Sequence, residues 1–68
     1  SFGYIGYSTK CRVGYMHRET IILEFWYNSR REAEGIIPGL ENYCSEGYIT
    51  QDSLGITWYN INFALFEF

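Results

Sequence analysis

The sequence has few of the features that identify a membrane protein, a metalloprotein or a secreted protein. Its longest apolar run, Phe63 to Phe66, has four residues, far short of the ~20 that a membrane-spanning helix needs. One histidine and two cysteines without paired spacing are too few ligands for a structural zinc site. The first residues show no signal-peptide pattern. We therefore expect no membrane, metal or cofactor, and the cytoplasm is slightly favoured although the compartment stays open.

Catalytic motifs are also absent from the sequence. His17 is the only imidazole, and we expect it in a solvated turn. Cys11 lies six residues before it, which along an extended strand is about 20 Å, too far for a nucleophile and its base. The sequence has no phosphate-binding loop, nucleophile elbow or metalloprotease motif. We therefore expect a protein that is not an enzyme.

Aromatic side chains are what the sequence has in abundance. Its 68 residues include seven Tyr, five Phe and two Trp, with a net charge of −3. This composition is typical of a folded chain and not of a disordered one, and the length suits a single domain over residues 1–68. A domain this small usually needs dense aromatic packing, a disulfide or a partner subunit to be stable.

Two-residue periodicity predicts strands in the first part of the chain. Residues 1–8 mix aromatics with glycines and suit an edge strand. From Lys10, apolar and polar residues alternate as in a half-buried strand, which we expect to end at a polar break over 16–19. Residues 20–27 are rich in β-branched and aromatic residues and predict a second strand, paired with the first in a hairpin. Its inward face is expected to carry Ile21, Leu23, Phe25 and Tyr27.

A helical period follows the second strand. Ser29 and Glu32 have the spacing of a capping box. The apolar residues after them recur at three- and four-residue steps, and Pro38 interrupts the pattern. We expect either one kinked helix from about Arg30 to Ser45, or two short helices with Pro38 in the first turn of the second. Gly47 is predicted to be a left-handed cap.

The last third of the chain predicts a hairpin. Residues 48–51 form a short strand, 52–55 a turn and 56–68 a long strand. The order of elements predicts an α+β fold, a small and mainly antiparallel sheet of four or five strands with one kinked helix across one face. That order resembles β-grasp-like folds and α+β rolls. The expected core includes Tyr15, Phe25, Tyr43, Tyr59 and Phe63.

The two cysteines fall on inward-facing positions, Cys11 on the first strand and Cys44 on the helical stripe. A disulfide would close a loop of 34 residues and contribute about 3 to 4 kcal/mol in the chain-entropy model. Two reduced thiols that pack as small apolar side chains are the alternative. The sequence leaves both open.

Strand parity places a second group of residues on the sheet face away from the helix. Both tryptophans belong to this group, together with apolar and basic neighbours. A face of this composition is typical of a binding surface. The alternative is a second small core, covered by the N-terminal strand or by a loop. The candidate binding residues are Lys10, Arg12, Ile22, Trp26, Trp58 and Phe66.

Charge is unevenly distributed along the chain. Residues 1–31 carry five positive and two negative charges for +3, whereas residues 32–68 carry six negative charges and no positive one. Two interpretations of this distribution are open. The charges belong to an ordinary solvated surface and are separated by chance, or the molecule has one basic side and one acidic side.

Three functions are compatible with these features. The leading hypothesis is a non-enzymatic protein-binding module, a small inhibitor or an oligomerising subunit, whose partner is another protein or a second copy. The alternative is single-stranded nucleic-acid binding, with bases stacked on the aromatics and phosphates on the N-terminal basic residues, which the net negative charge disfavours. The third takes the acidic half as the functional surface, which either docks onto a basic protein or mimics the charge of a nucleic acid.

Overall fold

The structure, a computed structural model, describes residues 9–64. Its strands form one sheet in the order β2-β1-β4-β3, in which β1 and β4 are parallel and the two outer pairs are antiparallel. The α+β class is confirmed, and the sheet is four-stranded and mixed. The predicted strand over 1–8 and the end of the last strand lie outside the described residues. The elements are β1 Lys10–His17, β2 Thr20–Tyr27, α1 Arg30–Ile36, a 3₁₀ helix Leu40–Glu46, β3 Tyr48–Gln51 and β4 Thr57–Ala64.

The first hairpin is tighter than the sequence predicts. β1 continues through His17, which pairs with Thr20, so the predicted polar break over 16–19 is wrong. The turn consists of Arg18 and Glu19 alone, with φ angles of 50° and 67°. Two-residue turns with both φ angles positive match the twist of a hairpin and usually carry Asn or Gly. Arg and Glu give no such signal, so the sequence pattern predicts the turn too early in the chain.

A bulge changes the alternation of β2. Tyr15 lies opposite Leu23, but Met16 lies opposite Ile21, so Ile22 has no partner on β1. The bulge turns Ile21 to the outer face, where its side chain lies 3.6 Å from the position a Cβ on Gly14 would take. The predicted inward orientation of Ile21 is therefore wrong. An extra residue in one strand moves the side chains beyond the bulge to the opposite face of the sheet.

The helical segment divides at the proline. Ser29 caps α1, since its Oγ accepts from the Glu32 backbone N–H at 3.1 Å, and a Glu32 carboxylate oxygen accepts from the Asn28 N–H at 2.7 Å. Pro38 lies between α1 and the 3₁₀ helix, and Gly39 has a φ of 77°. Two short helices form, as in the second of the two predicted alternatives, although Pro38 precedes the second helix instead of lying in its first turn.

Gly47 is needed for its small size and not for a left-handed conformation. Its φ is −80°, so the predicted left-handed cap is wrong. A Cβ at this position would lie 2.5 Å from Cζ of Tyr59 and 2.7 Å from the backbone oxygen of Asn60. Glycine therefore lets the chain leave the 3₁₀ helix directly against the Tyr59 ring.

The core lies between the helical segment and the two central strands. Tyr15, Tyr43 and Phe63 pack against it and are partly buried. Phe25, predicted as core, is half-exposed and contacts Tyr15 edge-on at 6.0 Å, because the buried cluster draws its strand residues from β1 and β4 and none from β2. That cluster consists of Cys11, Val13, Ala33, Ile37, Leu40, Tyr59 and Ile61.

Candidate functional site

Four of the predicted binding residues meet on the outer face of the sheet. Arg12 lies opposite Trp26 on β2, and Lys10 lies opposite Trp58 on β4. They share a groove of about 390 Å³, here named the tryptophan groove. Strand order explains the arrangement, since β1 lies between β2 and β4 and its cationic side chains therefore reach both indoles. The groove is lined by Lys10, Arg12, Glu24, Phe25, Trp26, Ile56 and Trp58.

The indole rings of Trp26 and Trp58 and the cationic groups of Lys10 and Arg12 form one cluster. The centroids of Trp26 and Trp58 are 6.3 Å apart with an interplanar angle of 89°, an edge-to-face contact. Nζ of Lys10 lies 5.1 Å from the Trp26 centroid, and Cζ of Arg12 lies 4.1 Å from that of Trp58. Cation–π contacts at exposed sites contribute about 0.5–1 kcal/mol each, so they position the cations without neutralising them.

Asp52 fixes the orientation of Trp58. Its Oδ2 accepts from Nε1 of Trp58 at 2.9 Å, and its Oδ1 accepts from the backbone N–H groups of Leu54 and Ile56 at 2.9 and 3.0 Å. The hydrogen bond from Trp58, followed by that from Ile56, holds the pKa of Asp52 below its ordinary value. The predicted turn is confirmed, with Gly55 at a φ of 81°. Sequence reasoning found this turn but missed the role of its carboxylate.

The two tryptophans differ strongly in exposure. Trp26 is 60% exposed, whereas Trp58 is only 9% exposed. Both tryptophans lie on the outer face and outside the main core cluster, but Trp58 is buried there, beneath the guanidinium of Arg12 and against the ring of Trp26. Trp58 forms the floor of the tryptophan groove, and Trp26 forms an accessible wall.

The tryptophan groove has more positive than negative charge. Nε of Arg12 lies 4.0 Å from Oε1 of Glu24, and both side chains are partly exposed. Within residues 9–64, no carboxylate approaches Nζ of Lys10 to within ion-pair distance. The lining thus carries two positive charges and one negative charge, and the Asp52 carboxylate, which interacts with Arg12, lies beside the floor at Trp58.

The remaining predicted residues lie away from this site. Ile22 is half-exposed at the β2 bulge and does not line the tryptophan groove. Phe66 lies outside the described residues. Asn60, on the same outer face, is buried, and its amide donates to the Tyr48 carbonyl at 3.1 Å and to Oγ1 of Thr50 at 2.9 Å. That residue ties β3 to β4 and is structural.

Both cysteines are free thiols in the structure. Cys11 is fully buried, and burial raises its pKa to about 11. Sγ of Cys44 donates to Oε2 of Glu34 at 3.3 Å, and the pKa of Cys44 is also raised to about 11, first by burial and then by this hydrogen bond. The thiolate, which is the nucleophile and the metal ligand, is therefore disfavoured at both positions.

The described part of the chain shows neither a metal site nor a membrane span. In residues 9–64, no group of three or more His, Cys, Asp or Glu side chains could hold a metal ion. Neither helix of that region is long and apolar enough to cross a membrane. No family model matches the chain, and comparisons with curated proteins and with solved structures find no significant match.

Proposed function

We propose that this protein is a non-enzymatic protein-binding module and that the tryptophan groove takes a short segment of the partner. The observation that carries this proposal is the exposure of Trp26 beside a floor formed by the immobilised Trp58 ring. Tryptophan and arginine are over-represented among residues that dominate binding energy. A large apolar ring held in place loses little conformational freedom when a partner covers it.

The charges of the tryptophan groove indicate the chemistry of its occupant. Trp26 and Ile56 offer apolar surface, and Lys10 and Arg12 hold two cations above the rings. The complementary segment carries an apolar side chain next to a carboxylate. A carboxylate reaching Lys10 gains a charge-assisted hydrogen bond in a site partly shielded from water. This acidic-apolar segment belongs to another protein, whether the module acts as an inhibitor or in an assembly.

The positions of the reactive side chains favour binding over catalysis. Both thiols have a raised pKa and are thus held protonated. His17 lies at the opposite end of β1 from Cys11, about 20 Å away along the strand. At that distance His17 cannot act as the general base for a Cys11 nucleophile.

We also infer that the fold is β-grasp-like. The parallel central strands β1 and β4 are each flanked by a hairpin partner, and the helical segment connects β2 to β3. Within residues 9–64, this order leaves the outer face of the central strands without a covering helix. The fold thereby gives a partner access to the tryptophan groove.

Single-stranded nucleic-acid binding is the second candidate. A base could stack on the exposed face of Trp26 while Lys10 and Arg12 contact phosphates. The net charge of −3 and the presence of Glu24 in the groove oppose it, because non-specific affinity for nucleic acid comes mainly from phosphate neutralisation. The protein partner is therefore the better supported of the two.

Selection from a random peptide library tests the proposal. Peptides are selected on the wild-type protein and counter-selected on folded Trp26→Ala. Tyr48→Ala is the matched control, because Tyr48 is also an exposed aromatic but does not line the groove. We expect peptides that combine acidic and apolar residues, bind Tyr48→Ala as they bind wild type, and lose about tenfold or more in affinity for Trp26→Ala.

Two results would contradict the proposal. One is that no selected peptide distinguishes wild type from Trp26→Ala. The other is tight binding of an oligothymidylate at low salt that Trp26→Ala abolishes, since this would assign the groove to nucleic acid. Circular dichroism of each variant confirms that the fold is kept.

A further inference from the structure

The outer edge of β2 carries no strand within residues 9–64. β2 stands at the end of the sheet, and its eight residues include a single formal charge, Glu24, and no proline. Natural edge strands are usually short, or carry lysine, proline or a covering element that prevents pairing with another chain. β2 carries neither lysine nor proline, no element among residues 9–64 covers its edge, and its bulge occupies only the end near Ile22. The outward backbone N–H and C=O groups of an edge strand can pair with those of another extended strand.

β2 also exposes apolar side chains on both faces of the sheet. Leu23 and Phe25, about half-exposed, lie on the inner face together with Val13 and Tyr15 of β1, and Trp26 lies on the outer face. A strand that pairs with this edge and covers both sides must itself carry apolar side chains in both directions. β2 meets that requirement, and an antiparallel pair of identical strands is self-complementary about a two-fold axis.

We propose that two copies of this chain pair β2 with β2 in antiparallel orientation, which joins the two four-stranded sheets into one. This association uses the sheet edge and goes beyond binding of a partner in the tryptophan groove. Because it adds one strand pair of about five residues on each side, it belongs to the weak, transient class of interfaces. We expect a dissociation constant on the order of 10–100 µM.

Charge selects the register of this pairing. A two-fold axis at Glu24 would place two carboxylates directly opposite each other, which is unfavourable. An axis at Phe25 instead places Glu24 opposite Trp26 of the second copy, whose ring lies 5.1 Å from Nζ of Lys10. The same register stacks Leu23 against Tyr27 of the second copy on the inner face. It does not pair the strands that carry Arg12 and Trp58, because those strands lie further from the edge.

Sedimentation equilibrium from about 1 µM to about 1 mM, with the reductant concentration held constant, tests the proposal. The disrupting variant is Leu23→Lys, which adds a charge to the edge strand at a position that does not line the tryptophan groove. Its matched control is Ile49→Lys on β3, the other edge strand, because Leu23 and Ile49 are 51% and 45% exposed. We expect Leu23→Lys to weaken dimerisation by about tenfold or more and Ile49→Lys to leave it unchanged.

Hydrogen exchange identifies the paired edge. Amides of β2 should become more protected as concentration rises in wild type and Ile49→Lys, whereas those of β3 should not. A monomer at 1 mM, or a dimer disrupted by Ile49→Lys and not by Leu23→Lys, would overturn the proposal. So would β2 protection that is independent of concentration, since another segment of the same chain would then occupy the edge. A monomeric Leu23→Lys that still binds selected peptides would show that the groove and the edge act separately.

Discussion

The two faces of the sheet are built from alternate residues of the same strands, yet they are held together differently. On the inner face, Tyr59 and Ile61 are almost fully buried against the helices. On the outer face, Trp26 stays accessible, and Trp58 is fixed by a hydrogen bond and a guanidinium. Alternation along a strand therefore decides which face a residue joins, but what covers the face decides whether that residue is buried. We infer that the inner face supplies stability and the outer face supplies binding.

The largest effect on stability is expected from Gly47→Ala. The added Cβ would overlap the buried Tyr59 ring and the Asn60 carbonyl, so the substitution should lower the free energy of unfolding by about 3 kcal/mol or more. Gly35→Ala is the matched control, because nothing lies within 4 Å of a Cβ there. That control lies within α1 and should stabilise the protein by about 0.5–1 kcal/mol.

Urea denaturation of both variants tests this pair of expectations. Equal stability of Gly47→Ala and wild type would show that the 3₁₀ helix does not rest on the Tyr59 ring. Destabilisation by Gly35→Ala would show that the helical segment, too, is packed more tightly than the structure indicates.

The two tryptophans provide the direct comparison on the outer face. Trp58→Ala removes a buried ring together with its hydrogen bond to Asp52, and it should cost about 3 kcal/mol. Trp26→Ala removes a mostly exposed ring and should cost about 1 kcal/mol or less, while it should weaken peptide binding by about tenfold or more. Thermal and urea denaturation measure both costs. If Trp26→Ala destabilised the protein as much as Trp58→Ala, the outer face would be a second core and not a binding surface.

The smallest effect concerns the thiols, whose titration changes stability only in alkaline solution. Cys11 and Cys44 have folded-state pKa values of about 11, raised from an ordinary value of 9.0. Their protonated forms favour the folded state, so this stabilisation is complete below pH 9 and is lost as the pH rises through 11. At pH 8 the fraction of each native thiol that is ionised should be about a hundredfold lower than that of a thiol with the ordinary pKa. Disulfide-exchange reagents should therefore react with the native thiols correspondingly slowly.

A thiol count in urea without reductant completes that test. We expect two reactive thiols per unfolded chain and slow reaction of both in the native protein. No reactive thiol in urea would instead establish the Cys11–Cys44 disulfide that the sequence also allows. Rapid reaction of both thiols in native protein would contradict the burial of Cys11.

The elements that follow local rules were predictable from the sequence. β2 begins and ends where its β-branched and aromatic residues do, and Ser29 caps α1 as the capping-box spacing predicts. The turn begun by Asp52 follows from the preference of aspartate for bonding nearby backbone N–H groups. Lys10, Arg12, Trp26 and Trp58 were placed on one face by alternation alone. For β2, the cap of α1 and the Asp52 turn, the deciding interaction lies within a few residues along the chain.

The features that were missed depend on contacts between distant segments. The bulge at Ile22 has no residue signature and reverses the facing of Ile21. Gly47 is required by the Tyr59 ring, twelve positions away in the sequence. The burial of Trp58 needs both Asp52 and Arg12. A single sequence reports which residues can make such contacts but not which of them meet.

The most direct test of the central claim is an NMR titration of the two indole N–H resonances with a peptide selected on the wild-type protein. We predict that the Trp26 indole resonance shifts as the tryptophan groove fills, together with backbone amides of β1 and β2. The Trp58 indole N–H, bonded to Asp52 beneath the groove, should stay protected from solvent exchange throughout. Shifts confined to the helices or to β3, with the Trp26 resonance unchanged, would contradict the assignment of binding to the outer face.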